Sequence, residues 1–253
     1  MNQTASTQSD SPSQANGLSG KSVVIFGGTS GIGLAAAIQA KAIGADVIVI
    51  GNDVERTKKA AAENGMKGWR AADVTKKDAI YAALEDIPKV DHLVLFAGTY
   101  VVGKILEADV DYLRQAFEQR VWAAVHAIRA LGDRLAKDGS ITLISGALTD
   151  RPTAQGTAIL AAASATMDTL ARGLALELAP IRVNALSPGL IDTPLLGKVL
   201  GESYEAAVAA MSKAAPLKRL GTSEQAGAAT VFLMTNGWMS GETLHVDGAT
   251  RFS

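Results

Sequence analysis

Short runs of Val, Ile and Leu alternate along this chain with longer stretches whose apolar residues recur at helical spacing. The runs predict strands near 22–26, 46–51, 67–71, 91–96, 139–145, 181–186 and 242–246. The longer stretches predict helices near 32–43, 53–64, 75–86, 109–137, 157–179 and 223–234. Most strands are continuous apolar runs rather than alternating ones, the pattern of a sheet covered by helices on both faces. Repeated βα units of this kind predict an α/β fold: a single-domain Rossmann-type doubly wound parallel sheet of about seven strands, with right-handed crossovers. Gly44 and Gly65 stand where helix stops are wanted, and Pro188-Gly189 marks the exit from the sixth strand. Residues 195–215 read as an additional, mobile segment ahead of Pro216.

Composition narrows the class. Residues 1–18, rich in Ser, Gln, Asn and Thr with no hydrophobic stretch, predict a disordered polar tail before one domain over 19–253. The 24 basic and 25 acidic residues leave a formal net charge of −1, with no like-charge run to track nucleic acid or an anionic membrane. There is no cysteine, so disulfides and thiolate chemistry are excluded. No uninterrupted apolar segment reaches the roughly 18–20 residues that span a bilayer. A soluble, cytoplasmic protein acting on a small molecule is expected, with neither nucleic acid nor membrane as partner.

The chemistry begins at Gly27-Gly28-Thr29-Ser30-Gly31-Ile32-Gly33, directly after Val23-Val24-Ile25-Phe26. Glycines let the backbone approach a pyrophosphate, and the following helix offers free N–H groups and the positive end of its dipole. Gly27, Gly31 and Gly33 supply that geometry; Thr29 and Ser30 add hydroxyl donors. A purely structural tight turn is the alternative, but the strand–loop–helix context is the one a nucleotide cradle requires.

The spacing G-x-x-x-G-x-G resembles the short-chain dehydrogenase/reductase family, and the resemblance runs from Lys21 to Gly248. It implies NAD(P)H binding and oxidoreductase chemistry. Asp73-Val74 corresponds to the family's adenine-contacting segment, although a helix N-cap also explains Asp73. Leu95-Phe96-Ala97-Gly98 corresponds to its Asn-Asn-Ala-Gly turn with both asparagines lost. Ser187-Pro188-Gly189-Leu190-Ile191-Asp192-Thr193 matches the segment that touches the nicotinamide amide, and Val246-Asp247-Gly248 the closing motif. The resemblance thus assigns cofactor contacts to Ile32, Asn52, Ala97, Gly98, Pro188, Gly189, Ile191 and Thr193 as well. At the end of the second strand, Gly51 lacks the acid that would repel a 2′-phosphate, and Asn52 is a neutral donor; NADP(H) is favoured over NAD(H). Arg56 and Lys59 either reach that phosphate or form a solvated helix face.

The catalytic pair of the family is missing. Registering on Leu174-Ala175-Leu176-Glu177-Leu178 places Leu160 on its tyrosine and Ser164 on its lysine, and no Tyr or Lys occurs between Lys137 and Lys198. The helix-four asparagine corresponds to Arg120, and the strand-five serine to Ser145 or Gly146. A buried Arg120 needs an anionic partner, such as substrate, cofactor phosphate or Asp150; otherwise it snorkels or sits at an interface. Ser145, Tyr100 and Arg120 are the catalytic candidates. Tyr204 is a second phenol, and Asp150, Arg151 and Asp192 are rim residues. His92, His126 and His245 are scattered without metal-ligand spacing, so no catalytic metal is expected. The Ala-rich stretch 161–165 is similar to the family's dimer and tetramer surface and implies a homodimer or homotetramer; a close internal helix contact explains it equally well. Three readings follow: an NAD(P)H-dependent oxidoreductase with a non-standard proton donor, a catalytically inactive nucleotide sensor or scaffold, and a non-redox lyase or isomerase on the same scaffold.

Overall fold

The computed structural model describes residues 17–253. Its strands are β1 (Ser22–Phe26), β2 (Asp46–Gly51), β3 (Gly68–Ala71), β4 (Val90–Leu95), β5 (Leu135–Ile144), β6 (Arg182–Pro188), β7 (Ile191–Asp192), β8 (Gly221–Thr222) and β9 (Thr243–Val246). Seven of them make one sheet in the order β3-β2-β1-β4-β5-β6-β9, parallel throughout; β7 and β8 pair as a small separate ladder. The helices are α1 (Gly31–Ala42), α2 (Val54–Glu63), α3 (Lys77–Leu84), α4 (Val110–Phe117), α5 (Ala123–Leu131), α6 (Ala158–Glu177), α7 (Pro194–Leu200), α8 (Tyr204–Ala214) and α9 (Ser223–Thr235).

Both faces of the sheet are buried, as its continuous apolar runs require. Along β1, Val24 and Phe26 pack with Ala124, Ala127 and Met167 under α5 and α6. Val23 and Ile25 point the other way, onto Ala36, Ala37 and Ala40 of α1. Each such side chain, fully withdrawn from water, contributes about 1.5–3 kcal/mol. Leu18 is fully buried in the second cluster, so the domain reaches back past the expected tail boundary; residues 1–16 of that tail lie outside the described residues.

Three features depart from the sequence reading. The single helix expected over 109–137 is α4, a π-helical turn at Glu118–Trp122, and α5. Gly132 (φ +51°) then breaks it, and Leu135–Lys137 join β5 instead. The 195–215 segment holds the two short helices α7 and α8. Finally, the uniform crossover hand fails once. A Cβ on Gly227 of α9 would stand 2.9 Å from the Ala35–Ala36 backbone, so α9 shares the face of α1. Yet β6→β9 steps across the sheet opposite to β1→β2, which gives that crossover the opposite hand.

By length and composition α6 alone among the described helices is apolar enough to cross a bilayer. In this fold its Leu160, Ala161, Ala163, Ser164, Met167 and Ala171 are buried. Strand order reverses between β1 and β4, and the crevice at their carboxyl ends is where an open α/β sheet takes its ligand.

Candidate active site

The loop after β1 is built by close approach. A Cβ on Gly33 would stand 2.2 Å from the Gly27 carbonyl oxygen, and one on Gly27 (φ +78°) would stand 2.9 Å from the Phe96–Ala97 backbone. Ser30 caps α1 without a side-chain hydrogen bond, and no acid occupies the first turn. By contrast α2, α4, α7 and α9 are closed by Asp53, Asp109, Thr193 and Thr222. The mouth of α1 therefore keeps free N–H groups and an uncompensated positive dipole end, the donor set that suits a pyrophosphate. Thr193 leans over it, its methyl 3.4 Å from the Cβ position of Gly31.

At the exit of β2, a Cβ on Gly51 would meet Thr57 Oγ1 at 2.4 Å and Thr29 Cγ2 at 2.7 Å. The space an acidic side chain would need is already filled. Arg56 is exposed on the α2 face, where its Nη2 donates to Asn52 Oδ1 at 2.5 Å, and Lys59 reaches Glu63 at 3.8 Å. Asp73 is no helix cap, since α3 begins at Lys77. Its carboxylate accepts instead from Thr75 N and Oγ1 at 2.9 and 2.8 Å, leaving Val74 half-buried beside it.

The other half of the crevice has been rebuilt. Leu160 is 2% exposed and packs with Val101, Leu113, Ala116 and Ala163. Ser164 is buried too, and its carbonyl accepts from Ser145 Oγ at 3.2 Å. The Ser145 hydroxyl lies between that carbonyl and Thr149 Oγ1, 3.3 Å away. The neighbouring Gly146 faces open space, its Cβ position meeting only the Pro188 carbonyl at 4.0 Å.

Arg120 sits in the π-helical turn, a geometry common at functional sites. Its Nη2 donates to the Thr99 carbonyl at 3.2 Å and its Nη1 to the Ala116 carbonyl at 3.4 Å; Nε is buried and unpartnered. The guanidinium lies 3.5–3.6 Å from the Cβ position of Gly98. No carboxylate pairs with it among the described residues, because Asp150 faces His245 (Nε2–Oδ2 3.5 Å) instead. Burial lowers its pKa to about 10, so it remains a cation at neutral pH. The space beside it, lined by Phe26, Val74 and Ala97, measures about 10 Å³, too little for a substrate. Arg120 thus holds the turn after β4 and places an uncompensated charge beneath it. Gln119, missed in the sequence, completes the hold by accepting from Thr99 N at 2.7 Å.

Tyr100 is 37% exposed beyond this turn, its phenol pKa raised by burial. Tyr204 Oη donates to Asp192 Oδ1 at 2.5 Å. Arg151 donates to the Thr250 carbonyl. Pro188–Gly189 lies hard on the closing motif, a Cβ on Gly189 standing 2.6 Å from Asp247 Cα, and Ile191 is buried just beyond. His92 is buried against Ser140 and His126 sits edge-on to Tyr81. No group of three or more His, Cys, Asp or Glu converges as a metal site among the described residues.

Residues 27–249 match the family model described as Enoyl-(Acyl carrier protein) reductase. The chain is 33% identical to the short-chain dehydrogenase/reductase ATR9 of Stachybotrys chlorohalonatus, over 90% of this chain and 96% of that protein. This chain belongs to the short-chain dehydrogenase/reductase family. Its fold superimposes on L-sorbose reductase from Gluconobacter frateurii, solved with NADPH and L-sorbose, with a TM-score of 0.85 at 28% identity over 93% of this chain and 98% of that one. An apo short-chain oxidoreductase of Pseudomonas aeruginosa PAO1 containing an atypical catalytic center matches with a TM-score of 0.82 at 25% identity, over 91% and 97%. Membership makes the chain an oxidoreductase-type, NAD(P)H-binding member of the family.

Proposed function

We propose that this protein is an NADPH-dependent reductase of a small carbonyl or otherwise activated substrate, working without a tyrosine proton donor. The observation that carries the reading is the uncapped mouth of α1 in one chain with the unpaired charge of Arg120. Bound NADPH supplies the hydride. The residues present fit it: the crowded glycine loop and free α1 amides would take the pyrophosphate, with Val74 and Ala97 beneath, and Pro188–Thr193 would hold the nicotinamide end. Arg120 fixes the turn at Gly98–Thr99, and its field favours negative charge developing on the substrate oxygen. Tyr100, next in sequence to Thr99, is the phenol from which a proton can come, the Tyr112 oxygen being taken up by Val102 N.

Preference for NADPH rests on two contacts at the exit of β2. Thr29 and Thr57 fill the place of a ribose-binding acid, and Arg56, folded over Asn52, offers a guanidinium to a 2′-phosphate. Arg56→Ala is expected to lower the NADPH-over-NADH affinity ratio about tenfold, roughly 1.4 kcal/mol. Fluorescence titration with both nucleotides measures it, and an unchanged ratio removes Arg56 from the assignment.

A second reading, a nucleotide-binding protein without turnover, draws on the sealed position of Leu160. Consumption of NADPH absorbance across a carbonyl panel separates the two. No NADPH response in fluorescence or melting temperature would sink both. We also propose a homodimer or homotetramer, for which the exposed Trp238 and Phe252 offer apolar area.

A further inference from the structure

We propose that Asp150, His245 and Ser187 form a proton relay from solvent to the opening between Gly146 and the Pro188 carbonyl. This rests on the reductase reading above. It gives the substrate oxygen a source of protons at the carboxyl ends of β6 and β9, where the phenol of Tyr100 lies beyond β4.

Strand pairing sets the row. Ser187 of β6 and His245 of β9 are register partners in parallel strands, which run about 5 Å apart. Val183 and Ala185 of β6 pack in the cluster beneath α5 and α6, while Leu186, Leu244 and Val246 pack in another. Thr243 of β9 donates to Asp168 of α6 at 3.1 Å. Side chains alternate along a strand, so Ser187 and His245 project side by side on the α6 face. The Ser187 hydroxyl is buried, at 1% exposure, and has no hydrogen-bond partner among the described residues. A buried hydroxyl left unpaired is destabilising, so its place here calls for a partner that arrives with the substrate. His245 is held from its far side, Nε2 standing 3.5 Å from Asp150 Oδ2, and the two side chains are 28% and 39% exposed. That contact favours the neutral ring with its proton on Nε2 and leaves Nδ1 for Ser187. The loop carrying Asp150 is tied a second time, Arg151 donating to the Thr250 carbonyl at 3.0 Å. At the inner end, Ser187 directly precedes Pro188, whose carbonyl oxygen lies 4.0 Å from the Cβ position of Gly146. When a substrate carbon accepts a hydride from NADPH, its oxygen takes the proton of Ser187 Oγ. Ser187 Oγ takes the Nδ1 proton of the His245 imidazolium, and the ring regains one from water. Asp150 acts through His245 and is a positioning residue.

Ser187→Ala and His245→Gln test the row. Each should lower turnover about a hundredfold on any carbonyl the wild type reduces. The double variant should be no slower than either single one, because members of a relay act as a unit. NADPH affinity by fluorescence titration should not change, and the Ser187→Ala melting temperature should be unchanged or higher, since that hydroxyl bonds to nothing. By nitrogen NMR, His245 should show the Nε2–H tautomer, Asp150→Asn should mix the two tautomers, and Ser187→Ala should shift the Nδ1 resonance. Multiplied losses in the double variant overturn the relay. Turnover lost in Tyr100→Phe and retained in His245→Gln gives the proton to Tyr100 and overturns it too. An Nδ1 resonance indifferent to Ser187→Ala does the same without needing turnover. If the wild type reduces no carbonyl, the proposed function fails, while the Nδ1 shift still decides whether the row exists.

Discussion

One added carbon at Gly33 would stand 2.2 Å from a backbone oxygen, whereas Leu160, on the other side of the same crevice, fills a position from which the fold demands only bulk. The nucleotide side works through main-chain amides, a helix dipole and the absence of side chains, so the residues that bind also shape the loop. The opposite side works through side chains projecting from a well-packed helix. Leu160 and Ser164 satisfy α6 with an apolar cluster, and the sheet beneath is undisturbed. Binding geometry is therefore tied to the fold, while acid–base chemistry is separable from it.

Gly33→Val should break the first side most severely. Displacing the Gly27 carbonyl shifts both the loop and α1, and NADPH affinity should fall by on the order of a thousandfold, about 4 kcal/mol. Calorimetric titration checks this, and near-normal binding would remove the cradle from the account.

His92 tests the seam between the two sides, where it bonds Ser140 across β4 and β5 at 2.8 Å. Burial, helped by the Arg182 charge, lowers its pKa to about 4. The unfolded chain takes up a proton near pH 6.5 and the folded one does not, so this contribution is full above pH 6.5 and is lost as pH falls towards 4. Urea melts should show about 3 kcal/mol of acid destabilisation from this group between pH 7 and 4. His92→Asn should lack that component, and an identical slope in the variant would contradict it.

Arg120→Met sharpens the comparison on the catalytic side. Deleting an uncompensated buried charge should leave the melting temperature unchanged or higher. Turnover on any carbonyl the wild type reduces should nevertheless fall about a hundredfold. Retained turnover would reduce Arg120 to a strut.

The smallest expected effect is a failure to gain. Leu160→Tyr with Ser164→Lys should not install broad carbonyl reduction, because both positions are buried and Arg120 and the altered β4 turn remain. Burying a phenol and an amine there should cost roughly 1–3 kcal/mol in a urea melt. Strong activity in that double variant would mean the site is otherwise intact.

The layers and the phosphate loop were legible because continuous Val/Ile runs and close-packed glycines leave a direct mark on sequence. Position 132 was harder, since the helical pattern runs on past the glycine that ends the helix. Helices α7 and α8 within the additional 195–215 segment left no helical pattern because neither has a buried stripe to generate one. The partners of Arg120 were hidden for a related reason: they are the Thr99 and Ala116 carbonyls, and any residue carries a carbonyl. Ser145 and Gly146 follow the last residue of β5, and only the bond from the serine hydroxyl to the Ser164 carbonyl tells them apart.

The packed threonines behind Gly51 bear on how this protein's redox currency can change. Installing an aspartate there, the obvious single step towards NADH use, drives its first carbon into Thr29 and into Thr57, which is fully buried. A switch at this position therefore calls for smaller residues at 29 and 57 together with the acid, not for the acid alone.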